Sequence, residues 1–230
     1  MNVLIVTSTV IEIQEFISYF NFNKIDEDYY TTTVDKNKIS IFITGIGGIN
    51  TAYFLTKHLV INKFDLIINS GICGSFTKKI QLGIVVNVVK EQFGDFGIDD
   101  NGNFQTVFET NLIEKNRFPF SNGILINPTD LSRFKFLKYL QSVNSITVNT
   151  ASGDVTKIEN MVKKFNPEIE NMEGATFFYI CMMEKIPFFE IRAISNFVEP
   201  RNKENWNIEL AISNLNNFLI QFFETFEIND

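Results

Sequence analysis

Short, wholly apolar runs alternate along the chain with segments of helical spacing, and this alternation constrains the fold more than any other feature. Asn2–Thr7 is a continuous β-branched run ending in a small polar residue, the pattern of a strand buried on both faces. After it, Ile11, Glu12, Phe16, Ile17 and Phe20 recur at roughly helical spacing. Residues 29–34 and 39–44 flank a polar stretch, 35–38, suited to a hairpin turn. Gly45-Ile46-Gly47-Gly48 opens a helix expected to run to Ile61. Residues 65–70 read as a buried strand closed by a glycine loop at 71–75, and residues 83–89 as another strand. From 93 to 120 the pattern dissolves into Gly, Asp and Asn with scattered phenylalanines, expected to form an active-site excursion or an edge hairpin. Strands are then expected at 145–149 and 188–195, and helices at 155–165, 174–183 and 206–226. Such alternation gives a mixed, mostly parallel central sheet with helices on both sides, a single three-layer α/β/α domain over residues 1–230.

Composition removes several function classes. A formal charge of −7 argues against sequence-independent binding of DNA or RNA, which needs a basic face. Two cysteines, Cys73 and Cys181, and one histidine, His58, cannot build a disulfide framework, a cysteine zinc site or a multi-histidine centre, so no metal is expected. The apolar runs fall far short of the ~20 residues of a membrane span, and no basic segment precedes the first of them. A cytoplasmic enzyme or binding module is the expectation.

Ligands of open α/β sheets sit outside the carboxyl ends of the strands. Every expected strand end here is polar or glycine-rich: Thr7-Ser8-Thr9 with Glu12, Gly45 to Gly48, Ser70 to Ser75, Ser152-Gly153-Asp154, Asn171-Met172-Glu173-Gly174 and Ser195-Asn196. A dinucleotide fingerprint starting at Gly45 would need glycine at 50, where Asn50 stands, and no GxxxxGK[ST] loop occurs, so no cofactor is expected. The same glycines have two readings, close helix–sheet packing and backbone contact with a ligand. Glu12 and Glu173 likewise read as helix-terminus carboxylates or as site residues. His58 is expected to pack rather than react, Cys73 to be inert for want of a basic partner, and Arg192 to be a paired buried charge.

Taken in order, Gly45-Ile46-Gly47, residues 69–75, residues 83–86, Ser152-Gly153-Asp154, residues 171–175 and residues 192–196 resemble the nucleoside phosphorylase and nucleosidase superfamily. Residues 148–150 and 191–202, followed by Trp206-Asn207, are similar to its futalosine-hydrolysing branch, which serves the menaquinone pathway. Each motif alone is weak; six in order are specific for the superfamily and less so for the substrate.

The resemblance implies a small-molecule purine nucleoside as partner and an enzyme that cleaves its N-glycosidic bond. Glu12 would be the general base that activates water. Glu173 would accept hydrogen bonds from the ribose diol, Met172 would pack on the sugar, Ser195 would support the site and Asn196 would face the base. Adenine-releasing members carry aspartate at that last position. Val155 and Thr156 would line the purine pocket, and Gly71 would lie beside the substrate. Arg201 has two readings, a partner for a carboxylate at the far end of the substrate and a solvated loop arginine. No arginine precedes Arg117, so the arginine that phosphorylases use to hold phosphate is missing after the first strand, and water is the expected nucleophile. Members of the superfamily assemble with themselves, which implies a homo-oligomer, a dimer or larger. A nucleosidase for methylthioadenosine or S-adenosylhomocysteine, another purine nucleosidase or phosphorylase of the superfamily, and a silent nucleoside-binding module are the alternatives.

Overall fold

The computed structural model describes residues 1–200 and 202–226. Strands β1 (Asn2–Thr7), β2 (Asn23–Asp26), β3 (Tyr29–Val34), β4 (Asn37–Ile43), β5 (Leu66–Ser75) and β6 (Val85–Phe93) are followed by a small hairpin, β7 (Gly97–Asp100) with β8 (Asn103–Thr106). Then come β9 (Leu125–Ile126), β10 (Gln141–Thr147), β11 (Ile169–Asn171) and β12 (Phe188–Phe197). The helices are α1 (Gln14–Tyr19), α2 (Gly48–Ile61), α3 (Val155–Phe165), α4 (Gly174–Glu184) and α5 (Ile208–Glu224).

Ten strands form one sheet in the order β11-β10-β6-β12-β5-β1-β4-β3-β2, with β9 on β6. The pairs β1–β4, β1–β5, β5–β12, β6–β10 and β10–β11 are parallel, whereas β6 meets β12 antiparallel. The end of β5 also pairs with β11, Gly74 opposite Glu170, so the sheet curls back on itself at that edge.

Alternation along β1 divides the interior into two cores. Leu4 and Val6 join Leu55 and Leu59 of α2 and Phe177 and Phe178 of α4 on one face. Val3 and Ile5 join Phe16 of α1 and Leu215, Leu219 and Phe223 of α5 on the other. Each buried side chain of this size contributes about 1.5–3 kcal/mol, so the fully apolar strands are the sequence signature of helices on both faces. The three-layer architecture read from the alternation is the one observed.

Two details differ from expectation, at residues 71–75 and at β11. Residues 71–75 are not a loop: β5 continues through them because β12 pairs along its full length, Arg192 opposite Gly71 and Phe197 opposite Ser75. Cys73 therefore sits within a buried strand. The excursion after residue 93 contains a hairpin, one of its two readings: β7 and β8 pair with each other and lean on α3 through Phe104 and Phe165. The short strand β11, unmarked in the sequence, carries the chain into Glu173. His58 does pack as expected, stacked 4.3 Å from the ring of Phe42.

Candidate active site

The site begins in the turn after β1. Glu12 Oε2 reaches back to accept from the Thr9 N–H at 3.0 Å and the Thr9 hydroxyl at 2.9 Å, the arrangement of a capping box. Its other oxygen, Oε1, accepts from the Ile72 N–H of β5 at 3.1 Å. Glu12 is thus both a local cap and a carboxylate presented across the sheet. Burial pushes its carboxyl above the usual carboxylate range and the nearby Glu173 charge adds to this; the Ile72 N–H and Arg192 oppose it.

Gly71 is where the groups converge. A Cβ there would overlap Arg192 Nη1 and stand 3.2 Å from Glu12 Oε1, so only glycine admits both. Arg192 is buried in β12, and each of its three nitrogens has a partner. Its Nε donates to Glu190 Oε1 at 2.7 Å, Nη1 to Glu173 Oε2 at 3.4 Å, and Nη2 to Asn69 Oδ1. Period-two geometry puts Glu190 and Arg192 on one face of β12, opposite Asn69 and Gly71 of β5. Arg192 is the paired buried charge expected of it.

Glu173 is held from two further directions. Its Oε1 accepts from the Gly47 N–H at 3.0 Å. Gly47 has φ +91°, a left-handed conformation that favours glycine, and it opens α2. The next residue, Gly48, also packs tightly, since a Cβ on it would lie 2.6 Å from the Thr176 hydroxyl. The packing reading of this glycine run holds, and the backbone contact found here is with a carboxylate of the protein itself. Asn171 Oδ1 accepts from the N–H groups of Glu173 and Gly174 at 2.9 and 2.7 Å, fixing the turn that opens α4.

At the end of β12 the register slips between Ile194 and Asn196, leaving Ser195 as the extra residue of a bulge. The Ser195 hydroxyl has two acceptors in reach of its one hydrogen, Asn196 Oδ1 at 2.8 Å and the Cys73 carbonyl at 3.1 Å, and the shorter contact is to Asn196. Asn196 Nδ2 spends one hydrogen on the Phe197 carbonyl at 3.0 Å, leaving the second. Ser195 thus orients the Asn196 amide.

The other expected residues are more scattered. Met172 is half-buried between Asn171 and Glu173. Val155 and Thr156 are exposed on the first turn of α3, and no described contact joins them to the carboxylates. The segment before them is anchored: Ser152 donates its N–H to Glu170 Oε1 at 2.9 Å and its hydroxyl to Glu170 Oε2, while Asp154 caps α3 through the Lys157 N–H. Thr156 borders a cavity of about 670 Å³ shared with Asp95, Phe104 and Lys164. Arg201 lies outside the described residues. No group of three or more His, Cys, Asp or Glu side chains able to hold a metal ion occurs among the described residues.

Reading residue types at strand ends passes over Glu91 and Glu190, both buried, and over Asn69, which accepts from Arg192. The available signal was Glu190 and Arg192 alternating inside an apolar strand, a spacing that places opposite charges on one face. Burial pushes the Cys73 thiol up, consistent with an inert cysteine.

Known proteins share this architecture. The family model described as the Phosphorylase superfamily matches residues 2–225. A futalosine hydrolase from Thermus thermophilus is 27% identical over 176 residues, 75% of each chain. A 5'-methylthioadenosine/S-adenosylhomocysteine nucleosidase from Buchnera aphidicola is 26% identical over 213 residues, 89% of this chain and 86% of its own. Among solved structures, the native futalosine hydrolase of Helicobacter pylori superposes with a TM-score of 0.81 at 14% identity, covering 97% of both chains. A mutant of the nucleosidase MTAN of the same species, with 5'-methylthioadenosine in its active site, gives 0.81 at 16% identity, covering 97% of this chain and 98% of that one. These likenesses at low identity carry the fold, and the family match over nearly the whole chain carries the membership: the protein belongs to the phosphorylase superfamily.

Proposed function

We propose that the protein hydrolyses the N-glycosidic bond of a purine nucleoside, with futalosine as substrate and hypoxanthine as the released base. The observation that carries this reading is the pair Glu12 and Glu173, two buried carboxylates from distant parts of the chain that flank one guanidinium. Their wiring suits different tasks. Glu12, raised by burial, is a stronger base than an ordinary glutamate and suits the task of taking a proton from water. Glu173, held by Gly47 and Arg192, keeps lone pairs for two sugar hydroxyls.

In this mechanism water attacks the anomeric carbon as its proton passes to Glu12. The bond to purine N9 breaks, its electron pair leaves with the base, and the purine anion regains a proton from solvent as Glu12 gives up the one it took. A 6-oxo purine spreads that charge onto its oxygen, so an amide at Asn196 can assist departure without giving up a proton. Arg192 is occupied by Glu190, Glu173 and Asn69, so it offers a phosphate little, which favours water over phosphorolysis. The Thermus relative's activity supports futalosine; the longer match to the Buchnera nucleosidase favours methylthioadenosine as the second reading. Asn196 weighs for the first.

Residues 1–230 would act as one working unit in menaquinone biosynthesis. Free, buried Cys73 and Cys181 fit a reducing cytoplasm. Exposed Ile46, Ile49, Tyr53 and Phe54 at the start of α2 fit a homo-oligomer; sedimentation equilibrium tests it, and a monomer at micromolar concentration would remove that part.

Incubation with futalosine, inosine and methylthioadenosine, followed by chromatography of the free bases, tests the function. Hypoxanthine from futalosine is expected. Adenine from methylthioadenosine with futalosine intact would establish the second reading, and binding without release of any base would mean a silent module.

A further inference from the structure

Directly beneath the turn that opens α4 lie two more carboxyls, Glu91 of β6 and Glu190 of β12, both wholly buried. A Cβ on Gly174 would overlap Glu91 Oε1 and stand 2.6 and 2.7 Å from the two oxygens of Glu190, so the carboxyls meet in the space that glycine leaves. Asn171 Nδ2 lies between them, 2.6 Å from Glu91 Oε1 and 3.4 Å from Glu190 Oε1. Thr147 donates to Glu91 Oε2 at 2.9 Å. Glu190 Oε2 has no hydrogen-bond partner among the described residues. An orphaned buried acceptor beside a second carboxyl is what a shared proton satisfies.

We propose that Glu91 and Glu190 hold one proton between them and act as positioning residues for the sugar-binding carboxylate, by fixing the place from which Arg192 reaches Glu173. This rests on the nucleosidase reading for its consequence, not for the proton itself. The proton resides on Glu91 and is donated to Glu190 Oε2, while Glu190 Oε1 remains anionic toward Arg192 Nε. Without it, Glu91 would add a fourth buried negative charge to those of Glu12, Glu173 and Glu190, which already act on the one guanidinium of Arg192. Burial first, and the Glu190 charge second, push the Glu91 carboxyl up to about 8. The charged groups around the pair are Arg192 on β12, Glu173 at the start of α4 and Glu12 after β1. The thiols of Cys73 on β5 and Cys181 on α4, both driven up by burial, stay neutral beside it.

Loss of the proton at alkaline pH puts a second negative charge beside Arg192 and draws the guanidinium away from Glu173. The nucleoside KM should then rise about tenfold, the cost of weakening one charge-assisted hydrogen bond. In Glu91→Gln the amide supplies the same donor at every pH, so the alkaline rise should disappear. Glu190→Gln removes the anion that faces Arg192 Nε and should raise KM across the whole pH range. Infrared difference spectroscopy reads the proton without substrate: the unmodified protein should show a protonated carboxyl at neutral pH that bleaches on alkalinisation and is missing from Glu91→Gln. Absence of that band while hydrolysis proceeds, or an unchanged alkaline rise in Glu91→Gln, overturns the proposal and leaves the nucleosidase reading standing. The band present in a protein that hydrolyses no nucleoside overturns the nucleosidase reading, and the positioning role with it, while the shared proton stands.

Discussion

Arg192 Nη1 lies 3.4 Å from Glu173 Oε2, both side chains buried, so a cation in the middle of β12 supports the carboxylate that opens α4. Removing either partner would strand the other charge away from water, which costs more than the pair itself contributes. The contact depends on the missing side chain at Gly71, over which the guanidinium passes.

Gly71→Ala should therefore disable the site without unfolding the protein. The added methyl overlaps Arg192 Nη1 and crowds Glu12 Oε1, and the φ at this position does not require glycine. We expect a destabilisation of about 1–3 kcal/mol, typical of overpacking, and a disproportionate fall in kcat/KM. Denaturant unfolding and steady-state kinetics on the same preparation check this; unchanged kcat/KM would show that Arg192 does not need this path.

Glu12→Gln should lower kcat by roughly 10²–10⁴-fold while leaving nucleoside affinity nearly intact. Because burial raises the Glu12 carboxyl, and the base must be unprotonated, activity should fall with decreasing pH through a limb above the usual carboxylate range. A limb at the ordinary glutamate position, or near-normal turnover in the variant, would remove Glu12 from the mechanism.

A 2′-deoxy or 3′-deoxy nucleoside should be a poor substrate, since Glu173 would lose one of the two hydroxyls it accepts. Glu173→Ala should erase the discrimination between ribo- and deoxyribonucleosides. Equal kcat/KM for both sugars in the unmodified protein would contradict this role.

At Asn196 the free amide hydrogen suits a 6-oxo group or N7, whereas a 6-amino group would meet it donor to donor, at a cost of about 1–3 kcal/mol. Asn196→Asp should shift the ratio of specificity constants toward the 6-amino analogue of futalosine. A ratio that does not move would mean that Asn196 does not read the base.

Glu91 also makes a signed prediction about stability. Its carboxyl rises from 4.5 to about 8 on folding, so the folded protein keeps a proton that the unfolded chain has released. That contribution is complete below the unfolded value and is lost as pH rises through the folded one, at up to about 1.4 kcal/mol per pH unit. Tm should fall across this window, and the slope should flatten in Glu91→Gln. A Tm that climbs over the same window in both proteins would reverse the assignment.

The elements were legible wherever local signals agreed. The runs at β1 and β12, the hairpin of β3 and β4, and the helices after Gly47 and Asp154 follow from periodicity, turn residues and caps within a few positions of each other. The end of β5 was not, because glycines at 71 and 74 look like a loop until a partner strand supplies their hydrogen bonds. For β11, three residues are too few to show a period.

Chemistry divided along the same line. Glu12, Glu173, Ser195 and Asn196 are marked by position, each just beyond or at the end of a strand, and the polar strand ends and superfamily motifs are properties of the sequence by itself. That Glu173 is gripped by Gly47 and Arg192, that Gly71 must be bare, and that Glu91 and Glu190 share one space under Gly174 were decided by tertiary structure alone. The reason is register. Which side chains of β5, β6 and β12 stand side by side depends on how strands far apart in the chain are aligned, and a slip of one residue would turn Glu190 and Arg192 to the opposite face.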